Sequence, residues 1–277
     1  MKFENLIFKE MDQVAWITLN RPDAMNALSM KLSEEIVDAI EIVRQSTKLK
    51  SLVIKGAGDN FCVGDDIREM VKCGNANDIT RRVRYYQNMA NQLEELDKIT
   101  IAAVDGYAVG GGLEITMACD FVIATERPKW GMPEVDVGIT PGWGGTTRLA
   151  RLIGRRRAKE INLIGALHSG EKAVEWNLWN RVVPNDQLDT EVELLLDVLK
   201  SKNQQGMRQL KFIINRGVEC DLYTAQGFEV LSGALTGAVS GMWKIKDADQ
   251  GKGVIGFTEK DGLWQTRRRL AKDFWVD

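Results

Sequence analysis

The order of apolar and polar positions predicts strands and helices that follow one another along most of the chain. Residues 5–9 and 14–19 have strand-type composition, and the segment between them suits a hairpin turn. Apolar residues then recur with the helical period between positions 32 and 43, which predicts a first helix.

The middle of the chain continues this alternation. The pattern predicts a strand over 51–54, a Gly/Asp-rich loop over 56–66, a helix over 78–96, a strand over 100–104, a helix over 111–118, a strand over 121–125 and a loop over 130–145. Asp78 is the predicted N-cap of the longest of these helices. Strands that alternate with helices are typical of an α/β architecture with largely parallel pairing.

Strand signals stop near Leu188, and the rest of the chain has the pattern of helices joined by loops. We therefore predict two regions. Residues 1–190 form a core that carries the active site, and residues 191–277 form a helical C-terminal region.

Charge and composition exclude several classes of protein. The 277 residues include 37 Lys and Arg and 39 Asp and Glu, so the net charge of −2 argues against a general nucleic-acid binder. The single histidine cannot build a multi-histidine metal site, and the four widely spaced cysteines suggest neither a disulfide framework nor zinc. The N-terminus lacks an apolar signal region, and acidic residues interrupt the most apolar stretch, 99–124. We expect a cytoplasmic protein that does not associate with membranes.

The glycine run Gly110–Gly112 is the most informative feature for chemistry, because it follows a predicted strand and leads into a helix. Backbone N–H groups at such a helix start can bind an anion or stabilise an oxyanion formed during a reaction. The run is neither a Walker loop nor a G-x-G-x-x-G dinucleotide motif. A turn with a purely structural role would fit the same glycines.

Two acidic residues lie close to this run in the predicted topology. Glu114 is in the first turn of the predicted helix, among apolar neighbours where a carboxylate is costly without a partner or a purpose. Glu134 lies 20 residues further on, after the next predicted strand. Two acids in unlike surroundings can divide acid and base work, although a surface position for either would also fit the pattern.

Several motifs in this order resemble the crotonase superfamily, with enoyl-CoA hydratase as the most similar branch. The resemblance extends over nearly the whole chain and rests on NRPDAMNAL (20–28), FCVGDDIREM (61–70), AAVDGYAVGGGLEITMACD (102–120), GMPEVDVGITPGWGGTTRL (131–149) and GFTEK (256–260). It implies a spiral core of repeated ββα units, followed by a helical C-terminal oligomerisation region that makes the contacts of a trimer or of a hexamer built from two trimers.

The resemblance also implies site residues. The backbone N–H groups of Asp65 and Gly111 match the oxyanion hole, Glu114 and Glu134 match the two catalytic glutamates, and Gly142 matches a position near the catalytic water. The positions that match substrate- and CoA-binding residues are Ala24, Met25, Val63, Asp65, Asp66, Ile67, Trp143 and Lys260. No metal and no separate cofactor are implied, since coenzyme A is part of the substrate.

The implied activity is that of a hydro-lyase, an enoyl-CoA hydratase that adds water reversibly to a 2-enoyl-CoA thioester. The alternatives within the superfamily are an enoyl-CoA isomerase, or an acyl-CoA hydrolase or lyase. Two alternatives of other classes also stay open, namely a CoA- or RNA-binding scaffold without catalysis and a glycine-rich α/β fold unrelated to CoA.

Two of the departures from the family pattern bear on the site. Asp65 stands where the family often has a small or apolar residue, and a carboxylate that faced a developing oxyanion would repel it. We therefore expect its side chain to point away or to be paired, with a third catalytic acid as the alternative. Trp143 occupies a position that is usually small, so it either shapes the acyl site or packs as an ordinary core aromatic.

Overall fold

The structure, a computed structural model, describes residues 3–240 of the chain. The chain forms two compact units, the first ending at Val192 and the second beginning at Glu193. Within the described residues, no helix is long and apolar enough to cross a membrane.

The first unit contains the strands and most of the helices. Its strands are β1 (Leu6–Met11), β2 (Val14–Leu19), β3 (Ser51–Gly56), β4 (Ile99–Val104), β5 (Tyr107–Val109), β6 (Phe121–Thr125), β7 (Lys129–Gly131), β8 (His168–Ser169) and β9 (Arg181–Val183). Its helices are α1 (Met30–Gln45), α2 (Ile67–Met70), α3 (Ala76–Glu94), α4 (Gly111–Ala118), α5 (Thr147–Ile164), α6 (Gly170–Glu175) and the start of α7 (Leu188–Lys200), with short 3-10 helices at Pro22–Ala24 and Pro133–Val137.

The larger sheet has six strands in the order β1-β2-β3-β4-β6-β9. The hairpin β1–β2 is antiparallel, and the remaining pairs are parallel, as the alternation of strands and helices predicted. All six residues of β4 are buried, which is typical of a central strand covered on both faces.

A smaller sheet of β5, β7 and β8 positions the residues of interest. Strands β5 and β7 are parallel, with Val109 opposite Gly131. The chain therefore leaves both strands at the same edge of this sheet, β5 into α4 and β7 into the second 3-10 helix. The sequence pattern did not predict β7, which lies partly in the segment 130–145 that was predicted as loop.

The local sequence explains where the long helices begin. Ser29 caps α1, its hydroxyl accepting the Leu32 N–H at 3.1 Å, and the predicted apolar stripe of this helix is buried. Helix α3 begins earlier than predicted, since Asn75 has extended backbone and its side-chain oxygen accepts the N–H groups of Asn77 and Asp78. The prediction that Asp78 is the cap was therefore wrong.

The second unit contains the rest of α7 together with α8 (Gln204–Gly217) and α9 (Leu222–Ser240). Helices α8 and α9 contact one another, with the rings of Phe212 and Phe228 5.5 Å apart. The described part of this unit is helical, in agreement with the expected pattern of helices and loops.

Candidate active site

The glycine run forms the start of α4, as predicted. Gly110 has a positive φ of 54°, a conformation that favours glycine, and its N–H donates to the Gly131 carbonyl at 3.0 Å. The first turn of α4 closes when the Glu114 N–H donates to the Gly110 carbonyl. Gly111 precedes that bond, so its N–H is among those that a helix start leaves without an intrahelical acceptor.

The backbone of Asp65 is oriented by a pairing with Leu28. The Leu28 N–H donates to the Gly64 carbonyl at 2.8 Å, and the Asp66 N–H donates to the Leu28 carbonyl at 3.1 Å. The Asp65 N–H belongs to the same trans peptide as the Gly64 carbonyl, and because the two groups of a trans peptide point in opposite directions, this N–H is directed away from Leu28. A Cβ atom on Gly64 would lie 2.8 Å from the Gly111 nitrogen, so the two predicted N–H donors come from adjacent pieces of backbone.

Glu114 is buried, with an exposed fraction of 1%. Its Oε1 accepts two backbone N–H groups, from Trp143 at 2.9 Å and from Gly145 at 2.7 Å. These bonds hold the carboxylate against the loop that precedes α5.

Glu134 lies in the short 3-10 helix that follows β7. A Cβ atom on Gly110 would be 2.9 Å from its Oε1, so this carboxylate rests against the start of α4. Its Oε2 is buried and has no hydrogen-bond partner among the described residues. The parallel pairing of β5 and β7 thus brings Glu114 and Glu134 to one site.

Burial raises the pKa of both glutamates. Desolvation raises the pKa of Glu114 to about 8, against the opposing effect of its two backbone hydrogen bonds, and the Glu134 charge adds to the rise. Desolvation also raises the pKa of Glu134 to about 7, with a further contribution from Asp65. Two neighbouring carboxyl groups that titrate near neutral pH are suited to accept and donate protons there.

The side chain of Asp65 belongs to the same charge cluster. Desolvation raises its pKa to about 6, and the Arg82 charge opposes that rise. Its Oδ1 is buried without a hydrogen-bond partner in the described part of the chain, so that atom does not make the pairing expected from the sequence.

Three side chains hold the loop that binds Glu114, and the sequence predicted a role for none of them. Gln87 donates to the Gly142 carbonyl at 2.7 Å, Arg148 donates to the Trp143 carbonyl at 2.8 Å, and Asn162 donates to the Gly145 carbonyl at 2.9 Å. No local pattern marks these contacts. The only signal in the sequence for these contacts was the position of Arg148 inside the family-like motif at 131–149.

Trp143 is packed rather than exposed, with 4% of its surface accessible. Its ring stacks on Tyr86 at 5.3 Å between centroids and 22° between planes. A Cβ atom on Gly111 would lie 2.4 Å from its Cζ2, so the indole lies directly against the predicted oxyanion donor. Trp143 is thus both a core aromatic and a wall of the site.

The segments predicted to contact CoA lie together in part. Arg21, the residue immediately before the first 3-10 helix, pairs with the carboxylate of Asp66 at 2.9 Å. Asp66 also accepts the Arg68 N–H as the cap of α2, so this side chain has a structural role. Met25 and Ile67 are exposed, and Val63 is half-buried. Lys260 lies outside the described residues.

The described residues contain no group of three or more His, Cys, Asp or Glu side chains arranged to hold a metal ion. The groups that the site does bring together are carboxyl groups and backbone N–H donors, an arrangement suited to stabilising an oxyanion and moving a proton beside it.

Comparison with known proteins identifies the family. The profile of the enoyl-CoA hydratase/isomerase family matches residues 9–267, and the chain belongs to that family. The chain is 36% identical over 261 residues to a crotonyl-CoA hydratase of Syntrophomonas wolfei, covering 94% of this chain and 97% of the relative. It is also 36% identical to a short-chain-enoyl-CoA hydratase of Clostridium acetobutylicum, covering 83% of this chain and 88% of the relative.

Solved structures give the same result for the fold. An enoyl-CoA hydratase from Bacillus anthracis superposes with a TM-score of 0.81 at 32% identity, covering 90% of this chain and 94% of that one. The predicted crotonase-like α/β fold with a helical C-terminal region is confirmed.

Proposed function

We propose that this chain is an enoyl-CoA hydratase, a hydro-lyase that adds water reversibly and in syn geometry across the double bond of a 2-enoyl-CoA thioester. In the reverse direction it dehydrates a 3-hydroxyacyl-CoA. The observation that carries the proposal is the meeting of two carboxyl groups, the buried Glu114 and the half-buried Glu134, beside the adjacent backbone donors of Asp65 and Gly111.

The backbone donors would hold the thioester oxygen. When water adds to C3, the electron pair of the C2–C3 double bond shifts toward that oxygen, and an enolate-like state forms. Fixed N–H groups stabilise this charge without rearranging during the reaction, and one such donor contributes roughly 3–4 kcal/mol in enzymes where it has been removed.

The glutamates would move the two protons of the reaction. Glu114 takes a proton from the water as its oxygen bonds to C3, and Glu134 delivers a proton to C2 on the same face. Each turnover thus leaves the pair with one proton, now on Glu114, and that proton must pass back to Glu134 before the next turnover. The raised pKa values of both groups support this sharing near neutral pH, and because the groups interact, those values describe the pair.

An isomerase, or a hydrolase or lyase of the same superfamily, is the alternative, since it would use the oxyanion hole with a single acid. The resemblance places an aspartate of some isomerase and dehalogenase relatives at the position of Gly142. Here a Cβ atom at Gly142 would lie 3.1 Å from the Val83 side chain, so a side chain at this position would be in tight contact with α3. Together with the burial of Glu114, this favours hydration.

The remaining features are also proposals. Coenzyme A enters as part of the substrate, bound by the segments around Ala24–Met25 and Val63–Ile67 with Trp143 and Lys260, and no separate cofactor takes part. We propose a homotrimer or a hexamer of two trimers in the cytoplasm, with the helical C-terminal region, residues 191–277, making the subunit contacts.

A panel of enoyl-CoA thioesters tests the activity. We expect mass spectrometry to find products heavier by one water from 2-enoyl-CoA substrates, with short acyl chains included in the panel. Conversion of 3-enoyl-CoA to 2-enoyl-CoA without hydration would instead establish the isomerase. CoA binding without turnover of any thioester would establish a scaffold.

A further inference from the structure

Besides Oε2 of Glu134 and Oδ1 of Asn162, two further buried side-chain atoms near the site have no hydrogen-bond partner among the described residues. They are Oδ1 of Asp65 and Nε of Arg82. One is an acceptor and the other is a donor with a fixed direction. Buried polar atoms in folded proteins are almost always satisfied, so an unsatisfied acceptor and donor in one region call for a polar group from water or from a ligand.

Arg82 lies on the face of α3 that packs against the Glu114-binding loop. Its neighbour Val83 lies against Gly142, and Tyr86, one turn further along, stacks on Trp143. The guanidinium of Arg82 lies over the Tyr86 ring at 5.4 Å. The same helix face thus borders the substrate site and carries the arginine.

The terminal nitrogens of Arg82 are held in place, and this fixes the orientation of its Nε. One bonds to Glu69 at 3.1 Å, and the other reaches the Leu28 carbonyl at 3.5 Å. That carbonyl also accepts the Asp66 N–H, so Arg82 reaches the segment that carries Asp65. The effect of the Arg82 charge on Asp65 is consistent with this proximity.

We propose that Asp65 and Arg82 form a polar subsite for a hydroxyl group on the acyl chain, so that the preferred substrates are hydroxylated enoyl-CoA thioesters. A hydroxyl can accept from Arg82 Nε and donate to Asp65 Oδ1 at the same time, whereas a carbonyl oxygen can only accept. The inference rests on the proposed function. In that function the Asp65 N–H holds the thioester oxygen, and this brings the start of the acyl chain, with a hydroxyl a few bonds from that oxygen, close to the Asp65 side chain.

Two isosteric substrates test the subsite. Trans-4-hydroxybut-2-enoyl-CoA and trans-pent-2-enoyl-CoA are identical except that C4 carries a hydroxyl in the first and a methyl group in the second. We expect the wild-type kcat/KM to favour the hydroxylated substrate by about tenfold or more, because a site with buried polar groups rejects an analogue that leaves them unpaired.

The variants Arg82→Met and Asp65→Ala should bring this ratio close to one, whereas the wild-type ratio should persist in Arg81→Met. Arg81 is a matched control, since it is the neighbouring arginine and its side chain is 80% exposed. A wild-type ratio of one or less overturns the inference without any variant, and so does a preference that survives in folded Arg82→Met. Failure of the wild type to hydrate crotonyl-CoA or either test substrate would instead contradict the proposed function.

Discussion

At the scale of single residues, the site combines acids whose environments differ. Glu114 is held by two backbone N–H groups, whereas Glu134 has an oxygen without a partner among the described residues. Burial nevertheless raises the pKa of both carboxyl groups. The sequence made both residues candidates through their positions after predicted strands, and the family resemblance matched them to the two catalytic glutamates. It could not show the paired backbone bonds to Glu114, because they come from residues 29 and 31 positions away.

The shared proton predicts a bell-shaped pH dependence of kcat/KM for crotonyl-CoA. The pair must be singly protonated, so we expect the rate to fall below about pH 7 and above about pH 8. Steady-state kinetics across this range measure the two limbs. A rate that stays constant from pH 6 to pH 9 would show that these carboxyl groups do not carry the protons.

At the scale of elements, strand pairing decides where the site forms. Because β5 and β7 are parallel, α4 and the second 3-10 helix both begin at the same edge of the smaller sheet. The sequence predicted α4 well, because a glycine run followed by apolar residues marks its start. It did not predict β7, since a strand of three residues shows too little alternation to be recognised and depends on pairing with β5 and β8.

The contact between α3 and the loop at Gly142 gives a test at this scale. We expect Gly142→Ala to lower kcat and to destabilise the fold by about 1–3 kcal/mol, because the new Cβ atom would lie 3.1 Å from Val83 and displace the loop that binds Glu114. Adding Val83→Ala should restore part of both losses. Kinetics and urea unfolding of the two single variants and the double variant measure this coupling.

Gly74→Ala, in the exposed loop before α3, is the control for this experiment, because the nearest atom to a Cβ there would belong to the Asp78 carboxylate at 3.7 Å, an ordinary van der Waals distance. We expect this control to change kcat and the free energy of unfolding little. If Val83→Ala gives no recovery in the double variant, steric contact with Val83 is not the cause of the Gly142 effect.

At the scale of the whole molecule, the site has a cost in stability at high pH. Between their ordinary pKa values and their raised ones, Glu114 and Glu134 bind more protons in the folded chain than in the unfolded chain. Their contribution to the free energy of unfolding is therefore fully present below about pH 4.5 and is lost as the pH rises through about 7 to 8. The near-neutral net charge of −2 did not indicate this local concentration of acid.

This linkage predicts how stability varies with pH. We expect the free energy of unfolding of Glu114→Gln to fall less steeply than that of the wild type between pH 5 and pH 8.5, because an amide does not titrate and can still accept the Trp143 and Gly145 N–H groups. Urea unfolding at several pH values measures the slopes, with the exposed Glu126→Gln as the control for loss of a surface carboxylate. Equal slopes in wild type and Glu114→Gln would contradict the proton linkage.

The central claim is that Glu114 and Glu134 act together in hydration, and crotonyl-CoA turnover by their glutamine variants tests it most directly. Loss of the absorbance of the conjugated thioester follows the reaction, and mass spectrometry confirms the addition of one water. We expect the wild type to hydrate crotonyl-CoA and each variant to lose about 10²- to 10⁴-fold in kcat/KM, the range typical of acid–base groups. Full activity of Glu114→Gln together with loss of activity in Glu134→Gln would contradict the two-carboxylate mechanism and support an isomerase with a single acid.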